Sequence, residues 1–164
     1  MKLINVTLED DDLICELSDF ASEVVKDYYD PIIGPEQNDY MITLFQSVKG
    51  IREQLGMGEI YYLLTTDDDK KAGFVCFFQR NDEMYLNKFY LHNDYRGRGY
   101  GGLMLDLVKE HARKLGLNKI TLNVNKNNPT VKIYEKMGFY VIREEKNPIG
   151  RGFYMDDYVY QLDL

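Results

Sequence analysis

Apolar residues recur along the chain at two spacings, and the switch between them marks out its elements. Lys2 to Leu8 is a short β-prone run, and Glu9–Asp12 supply capping groups and negative charge for a helix start. Leu13, Leu17, Phe20, Val24 and Tyr28 then recur every three to four residues, which predicts a helix over 12–29. Pro31 and Gly34-Pro35 are expected to end it. A second helical stretch over 36–55 is expected to bend or split near Gly50 and to stop at Gly56-Met57-Gly58. Residues 60–65 and 71–79 read as strands around the polar turn Asp67–Lys70, and 83–91 as a third strand after the Asn81-Asp82 turn.

The second half has another texture. A long amphipathic helix is predicted over 99–115, with Leu103, Leu107, Ala112 and Leu115 inward, and Gly116 ending it. Residues 119–125 alternate as a strand, with Ile120, Leu122 and Val124 on one face. Pro129 suits the first turn of a short helix running to Met137 and stopped by Gly138. Residues 139–145 and 153–162 make a last strand pair joined by Asn147–Gly150. The order β-α-α-β-β-β-α-β-α-β-β, without repeat or linker, predicts one domain over residues 1–164. Its fold class is mixed α/β, an α+β sheet flanked by helices.

Composition narrows the function classes. The 164 residues suffice for one domain with a real core, 45% being hydrophobic. The net charge of −7 argues against a general nucleic-acid binder, and no apolar run is long enough to span a membrane. The acidic start argues against a secretory leader. Cys15 and Cys76 sit in apolar settings and are expected to be buried free thiols, so the chain reads as cytoplasmic. No Cys/His cluster has metal-ligand spacing, so no metal is expected. Residues 1–70 carry 16 acidic against 5 basic side chains, and residues 71–164 carry 11 against 15. Such asymmetry suits a protein that binds a cation on one side and an anion on the other.

The richest chemistry is Arg96-Gly97-Arg98-Gly99-Tyr100-Gly101-Gly102, where a strand gives way to a helix. Glycines there permit a sharp turn that aims several N–H groups at one point, and the helix dipole and two guanidiniums add positive potential. The site fits a phosphate or pyrophosphate. Gly97-x-Gly99-x-x-Gly102 matches the dinucleotide fingerprint, but the next strand ends in Asn123-Val124-Asn125-Lys126 with no ribose-binding acid. No Gly-Lys-Ser/Thr follows either, which argues against a nucleoside triphosphate.

The same stretch, as Arg96-x-x-Gly99-x-Gly101, resembles the pyrophosphate loop of the GNAT N-acetyltransferases. Leu86–Leu91 is similar to that family's fourth strand, and Asn127–Phe139 to its Asn-x-x-Ala-x-x-x-Tyr-Glu-Lys-x-Gly-Phe segment, with Thr130 in place of Ala. The resemblance implies a largely antiparallel central sheet flanked by helices, with acetyl-CoA as co-substrate. It implies that Arg96, Gly97, Arg98, Gly99, Tyr100 and Gly101 hold the pyrophosphate, and that Phe89, Tyr90 and Leu91 pair with the pantetheine. The Leu91 N–H would also polarise the thioester carbonyl. Asn127 would bond the pantetheine or its surrounding backbone, Lys136 would approach a CoA phosphate, and Tyr134 would protonate the departing thiolate. A phenol near pKa ~10 is a feasible donor to a thiolate near ~8.5.

An amine acceptor must also lose a proton. His92 and His111 are poor candidates for taking it, so a carboxylate is expected, from among Asp156, Asp157, Glu23 and Asp27. Pro148–Tyr158 is similar to the Ile-Gly-x-Gly-(aromatic)-x-Met-Asp-Asp-Tyr run of PaiA-type polyamine acetyltransferases, as are the Tyr28-Tyr29-Asp30 and Asp39-Tyr40-Met41 segments. That likeness implies spermidine or spermine as acceptor, bound by Asp156, Asp157, Glu23 and Asp27 with cation–π help from aromatics such as Tyr28. Three alternatives stay open: a protein N-terminus or lysine, a small drug-like amine, and a non-catalytic acetyl-CoA sensor. The partner is a small-molecule amine, and the protein a monomer or homodimer.

Overall fold

β1 (Lys2–Val6) runs antiparallel to β2 (Ile60–Thr65), with Leu3 opposite Leu64, and β2 runs antiparallel to β3 (Lys71–Arg80). The computed structural model describes all 164 residues. Between β1 and β2 lie α1 (Asp11–Ile33), α2 (Pro35–Phe45) and α3 (Val48–Gly56). β4 (Glu83–Leu91) leads through a 3-10 turn at Asn93–Tyr95 into α4 (Tyr100–Lys114). β5 (Lys119–Asn125), α5 (Val131–Lys136), β6 (Tyr140–Gly150) and β7 (Phe153–Asp163) complete the chain. The seven strands take the order β1-β2-β3-β4-β5-β7-β6; β1–β2, β2–β3, β5–β7 and β6–β7 pair antiparallel, and β4–β5 pairs parallel. This is the expected mixed α/β fold.

Two compact units share the chain: Met1–Phe78 with Lys88–Met104, and Gln79–Asn87 with Leu105–Leu164. In the first, Ile14, Leu17, Phe20, Ala21, Val24 and Val25 of α1 pack with Ile51, Tyr61, Leu63, Phe74 and Cys76. In the second, Ile120, Leu122, Val124, Val159, Tyr160 and Leu162 are buried on the strands.

Several expectations need correction. The stretch 36–55 divides at Gln46-Ser47, not at Gly50, because the Ser47 side chain accepts the Gly50 N–H (3.0 Å) and caps α3. Gly50 instead permits a close approach, since a Cβ there would meet the Leu44 carbonyl oxygen at 2.4 Å. Pro31 does not break α1. It sits in the last turn, and the helix runs on to Ile33 before Gly34 (φ +88°) ends it. Asp10 holds the N-cap position of α1 but makes no capping bond; its carboxylate accepts instead from Thr7. Leu103 and Leu115 are exposed rather than inward, because Met104, Leu105, Val108 and Ala112 hold the buried stripe of α4 and Leu115 lies past its end. Cys15 is exposed and Cys76 alone is buried. The last hairpin turns at Arg151-Gly152, so Asn147–Gly150 continue β6, where Pro148 is tolerated on an edge strand.

A buried lysine ties the first unit together. Lys88 is only 4% exposed, and its Nζ lies within hydrogen-bond reach of four acceptors, the Phe45 carbonyl, Gln46 Oε1 (3.0 Å), Gln54 Oε1 (3.0 Å) and the Tyr61 hydroxyl (2.5 Å). Burial pushes its pKa down to about 8. Lys88→Met leaves those acceptors inside without their donor, and is expected to cost about 2–4 kcal/mol, read as a lower urea midpoint at unchanged slope. The folded wild type holds fewer protons at Lys88 than the unfolded chain between pH 8 and 10.5. Its stability therefore rises with pH through that window, a slope the Met variant lacks.

Candidate active site

At the end of β4, the His92 N–H donates to the Ala72 carbonyl of β3 (2.8 Å). Strand alternation then turns the N–H groups of Leu91 and Phe89 away from β3, as required of groups that are to pair with a ligand. Gly73 of β3 lies hard against this segment. A Cβ there would meet the Tyr90 carbonyl oxygen at 2.5 Å and Leu91 Cδ2 at 2.9 Å.

Beyond the 3-10 turn, Gly97 (φ +73°) and Gly99 (φ +84°) adopt left-handed backbone that disfavours side chains. A Cβ at either would find open space, so conformation and not packing demands glycine there. The first bond of α4 runs from the Leu103 N–H to the Gly99 carbonyl (3.3 Å), so the amides of Tyr100, Gly101 and Gly102 have no carbonyl one turn back. Arg96, Gly97, Arg98 and Gly99 are exposed, Tyr100 is half-buried and Gly101 buried. Arg96 Nε donates to the Leu91 carbonyl (3.1 Å), and its guanidinium lies 4.9 Å from the centre of the Tyr28 ring. Arg96 thus braces the loop while remaining a cation beside it. Arg98 lies 5.9 Å from the Tyr95 ring. A helix N-terminus, a glycine turn and two guanidiniums form a donor set that fits a pyrophosphate.

In the second unit, the half-buried Tyr134 packs edge-on against Phe139 (ring centres 5.8 Å apart) and at a tilt against Tyr160 (6.4 Å). Asn127 is exposed, with its N–H on Asn125 Oδ1 (2.9 Å). The neighbouring Asn128, buried, binds the Thr130 N–H and hydroxyl (2.9 and 2.7 Å) and so shapes the entry to α5. Lys136 is exposed in the last turn of α5.

The acceptor candidates separate. Glu23 and Asp27 are exposed on α1, and Tyr28 is engaged with Tyr29 (5.0 Å) and Arg96. Asp156 pairs with Lys126 (3.2 Å). Asp157 is buried, and Asn123 Nδ2 donates to it at 3.3 Å. The same amide donates to Glu145 (3.3 Å), and its oxygen accepts from the Tyr85 hydroxyl (3.0 Å). Burial pushes the Tyr85 phenol up to about 12. His92 Nδ1 accepts the Asp94 N–H (3.2 Å), and burial lowers His111. Sequence reasoning passed over Tyr85, Asn123, Gly73 and Lys88. The polar positions Thr121, Asn123 and Asn125, opposite the apolar face of β5, were the available signal for the first two.

The family model of the acetyltransferase (GNAT) family matches residues 21–139. An uncharacterized N-acetyltransferase of Bacillus subtilis, YdgE, is 30% identical over 84 residues, 48% of this chain and 54% of that protein. The L-ornithine N5-acetyltransferase NATA1 of Arabidopsis thaliana is 31% identical over 80 residues, 44% of this chain and 35% of its own length. The matches thus span about half or less of these relatives. Among solved structures, the PaiA N-acetyltransferase of Thermoplasma acidophilum in complex with coenzyme A is similar with a TM-score of 0.77, at 19% identity over the whole of both chains. A GCN5-related N-acetyltransferase from Rhodopseudomonas palustris reaches 0.79 at 16% identity over 99% of this chain and 95% of its own. At such identities the likeness is one of fold. No helix is long and apolar enough to cross a membrane. With a glycine-rich turn at the start of α4 and a family match that spans most of the chain, this protein belongs to the acetyltransferase (GNAT) family.

Proposed function

We propose that the protein moves an acetyl group from acetyl-CoA directly to a primary amine, with a polyamine such as spermidine or spermine as acceptor. The cradle at the start of α4 carries this reading, because its amides and guanidiniums suit the pyrophosphate of CoA. Arg96, Gly97, Arg98, Gly99, Tyr100 and Gly101 hold that group, with Lys136 near a phosphate. Phe89, Tyr90 and Leu91 pair with the pantetheine, and Asn127 holds the arm or its surrounding backbone. The Leu91 N–H stabilises negative charge on the thioester oxygen, and Tyr134 gives its proton to the departing sulfur. The polyamine preference draws support from the Pro148–Tyr158 run, the acid-rich first 70 residues, and the PaiA structure among those of like fold. A polycation gains from several spaced carboxylates.

Thiol release from acetyl-CoA, followed against spermidine, spermine, putrescine, an N-terminal peptide, a lysine peptide and an aminoglycoside, tests the reading. Preferential turnover of spermidine or spermine is expected. Turnover of another amine alone moves the acceptor, and acetyl-CoA binding without turnover of any amine favours a sensor. Tyr134→Phe is expected to keep acetyl-CoA affinity while kcat falls at least ~10-fold. An equal kcat removes Tyr134 from the acid role.

A further inference from the structure

Leu91 closes β4, and in a strand the N–H and carbonyl of one residue point to the same side. The His92 N–H goes to the Ala72 carbonyl of β3 (2.8 Å), so Leu91 turns both of its own polar groups away from β3. The two meet different partners. The carbonyl accepts from Arg96 Nε (3.1 Å), whereas the N–H is the proposed donor to the thioester oxygen. The peptide plane between Leu91 and His92 is thus tied at both ends, by Arg96 and by Ala72. The plane before it carries the Leu91 N–H. Its carbonyl, that of Tyr90, lies where a Cβ on Gly73 would come within 2.5 Å. Because a peptide unit is planar and trans, holding that carbonyl against β3 aims the N–H to the opposite side.

A ring of side chains closes around the same two planes. The Arg96 guanidinium lies 4.9 Å from the centre of the Tyr28 ring on α1. Tyr28 meets Tyr29 edge-on (5.0 Å), Tyr29 meets Tyr90 edge-on (6.2 Å), and Tyr90 stacks on Phe74 of β3 (5.1 Å). The circuit Leu91–Arg96–Tyr28–Tyr29–Tyr90 therefore ends on the residue next to its start, and all of it belongs to the first compact unit. Arg96 has also committed its own N–H, to the Asn93 carbonyl (3.3 Å).

Resting on the acetyltransferase reading, we propose that Arg96 and Tyr28 are positioning residues for the thioester, in addition to the place of Arg96 in the pyrophosphate loop. Tyr28 holds the guanidinium, and Arg96 Nε holds the Leu91 carbonyl, so that the Leu91 N–H meets the charge that develops on the thioester oxygen. An oxyanion donor stabilises the transition state in proportion to how well it is aimed beforehand. The brace takes the carbonyl of Leu91 and leaves the N–H to the ligand. Tyr28, expected from the sequence to serve the acceptor, then serves the acetyl donor.

The test measures kcat, the KM for the amine and the calorimetric Kd for acetyl-CoA. The acceptor is spermidine, or the amine of the panel that wild type turns over fastest. Arg96→Met and Tyr28→Leu are each expected to lower kcat at least ~10-fold with the amine KM held within about threefold, because a displaced donor loses charge stabilisation without loss of amine binding. The double variant is expected to fall no further than Arg96→Met alone, since the two residues act as one unit; multiplied losses overturn the inference. Tyr28→Phe keeps the ring and regains most of what Tyr28→Leu loses. Arg96→Lys keeps a charge beside the phosphates but cannot bond the carbonyl and lie flat on the ring together, so acetyl-CoA affinity stays near wild type while kcat stays low. Recovery of kcat in Arg96→Lys overturns the inference, as does a raised amine KM at undiminished kcat in Tyr28→Leu. Arg96 is exposed, so its two variants keep the fold and decide the question if Tyr28→Leu unfolds. Wild-type protein that acetylates no amine overturns the acetyltransferase reading as well, whereas wild-type turnover with undiminished kcat in Arg96→Met overturns the inference alone.

Discussion

Gly99→Asp is expected to abolish binding of acetyl-CoA while leaving the protein folded. The left-handed backbone at Gly99 (φ +84°) costs a side chain something, but its Cβ finds no atom within 4 Å, so no packing is broken. The damage is electrostatic. A carboxylate beside the proposed pyrophosphate site, at ~5 Å from a phosphate charge and an effective dielectric of ~20, repels by about 3 kcal/mol per charge pair. That corresponds to at least ~100-fold in affinity. Gly99→Ala carries the same backbone strain without the charge and separates the two causes. Calorimetric titration with acetyl-CoA reads both variants. Unchanged affinity in Gly99→Asp removes the loop from its phosphate role.

Gly73→Ala is expected to act through β4, with no contact to any ligand. The added Cβ would lie 2.5 Å from the Tyr90 carbonyl oxygen and 2.9 Å from Leu91 Cδ2, closer than nonbonded atoms approach. The first neighbour is backbone, so a strand must move. Overpacking of this kind costs about 1–3 kcal/mol, and a displacement near 1 Å at a reacting group costs about 100-fold in rate. Since Leu91 is the proposed donor to the thioester oxygen, kcat should fall about 100-fold, with a smaller loss of CoA affinity. Loss of stability at undiminished kcat would show that the Leu91 N–H takes no part.

The boundaries of β2, β4 and β5 were legible because alternation and turn residues act over a few positions, and those runs carry both. The pyrophosphate loop was legible for a similar reason, since its glycines and arginines are consecutive. Lys88 was not. In a strand it reads as an outward polar residue, and only the Phe45 carbonyl and the Gln46 and Gln54 amides, brought from the α2–α3 corner, explain its burial. Asp156 and Asp157 look alike in sequence. Lys126 and Asn123, whose placement depends on the β5–β7 register, make one an exposed ion pair and the other a buried carboxylate. The phase of α4 was less legible, because its sequence offers two overlapping apolar stripes: Leu103 and Leu115 stand exposed, while Met104 and Val108 hold the core side.

The two cysteines make the protein its own stopwatch. Cys15 stands exposed on α1, whereas Cys76 is fully enclosed and burial holds its thiol protonated. A thiol reagent should therefore label one site at once and the other only as fast as β3 leaves its packing with Tyr61 and Phe74. The delay between the two phases times the breathing of that core under native conditions, without denaturant or added probe. The same arithmetic sets a constant background of one reactive thiol per chain in any assay that counts thiols liberated from CoA.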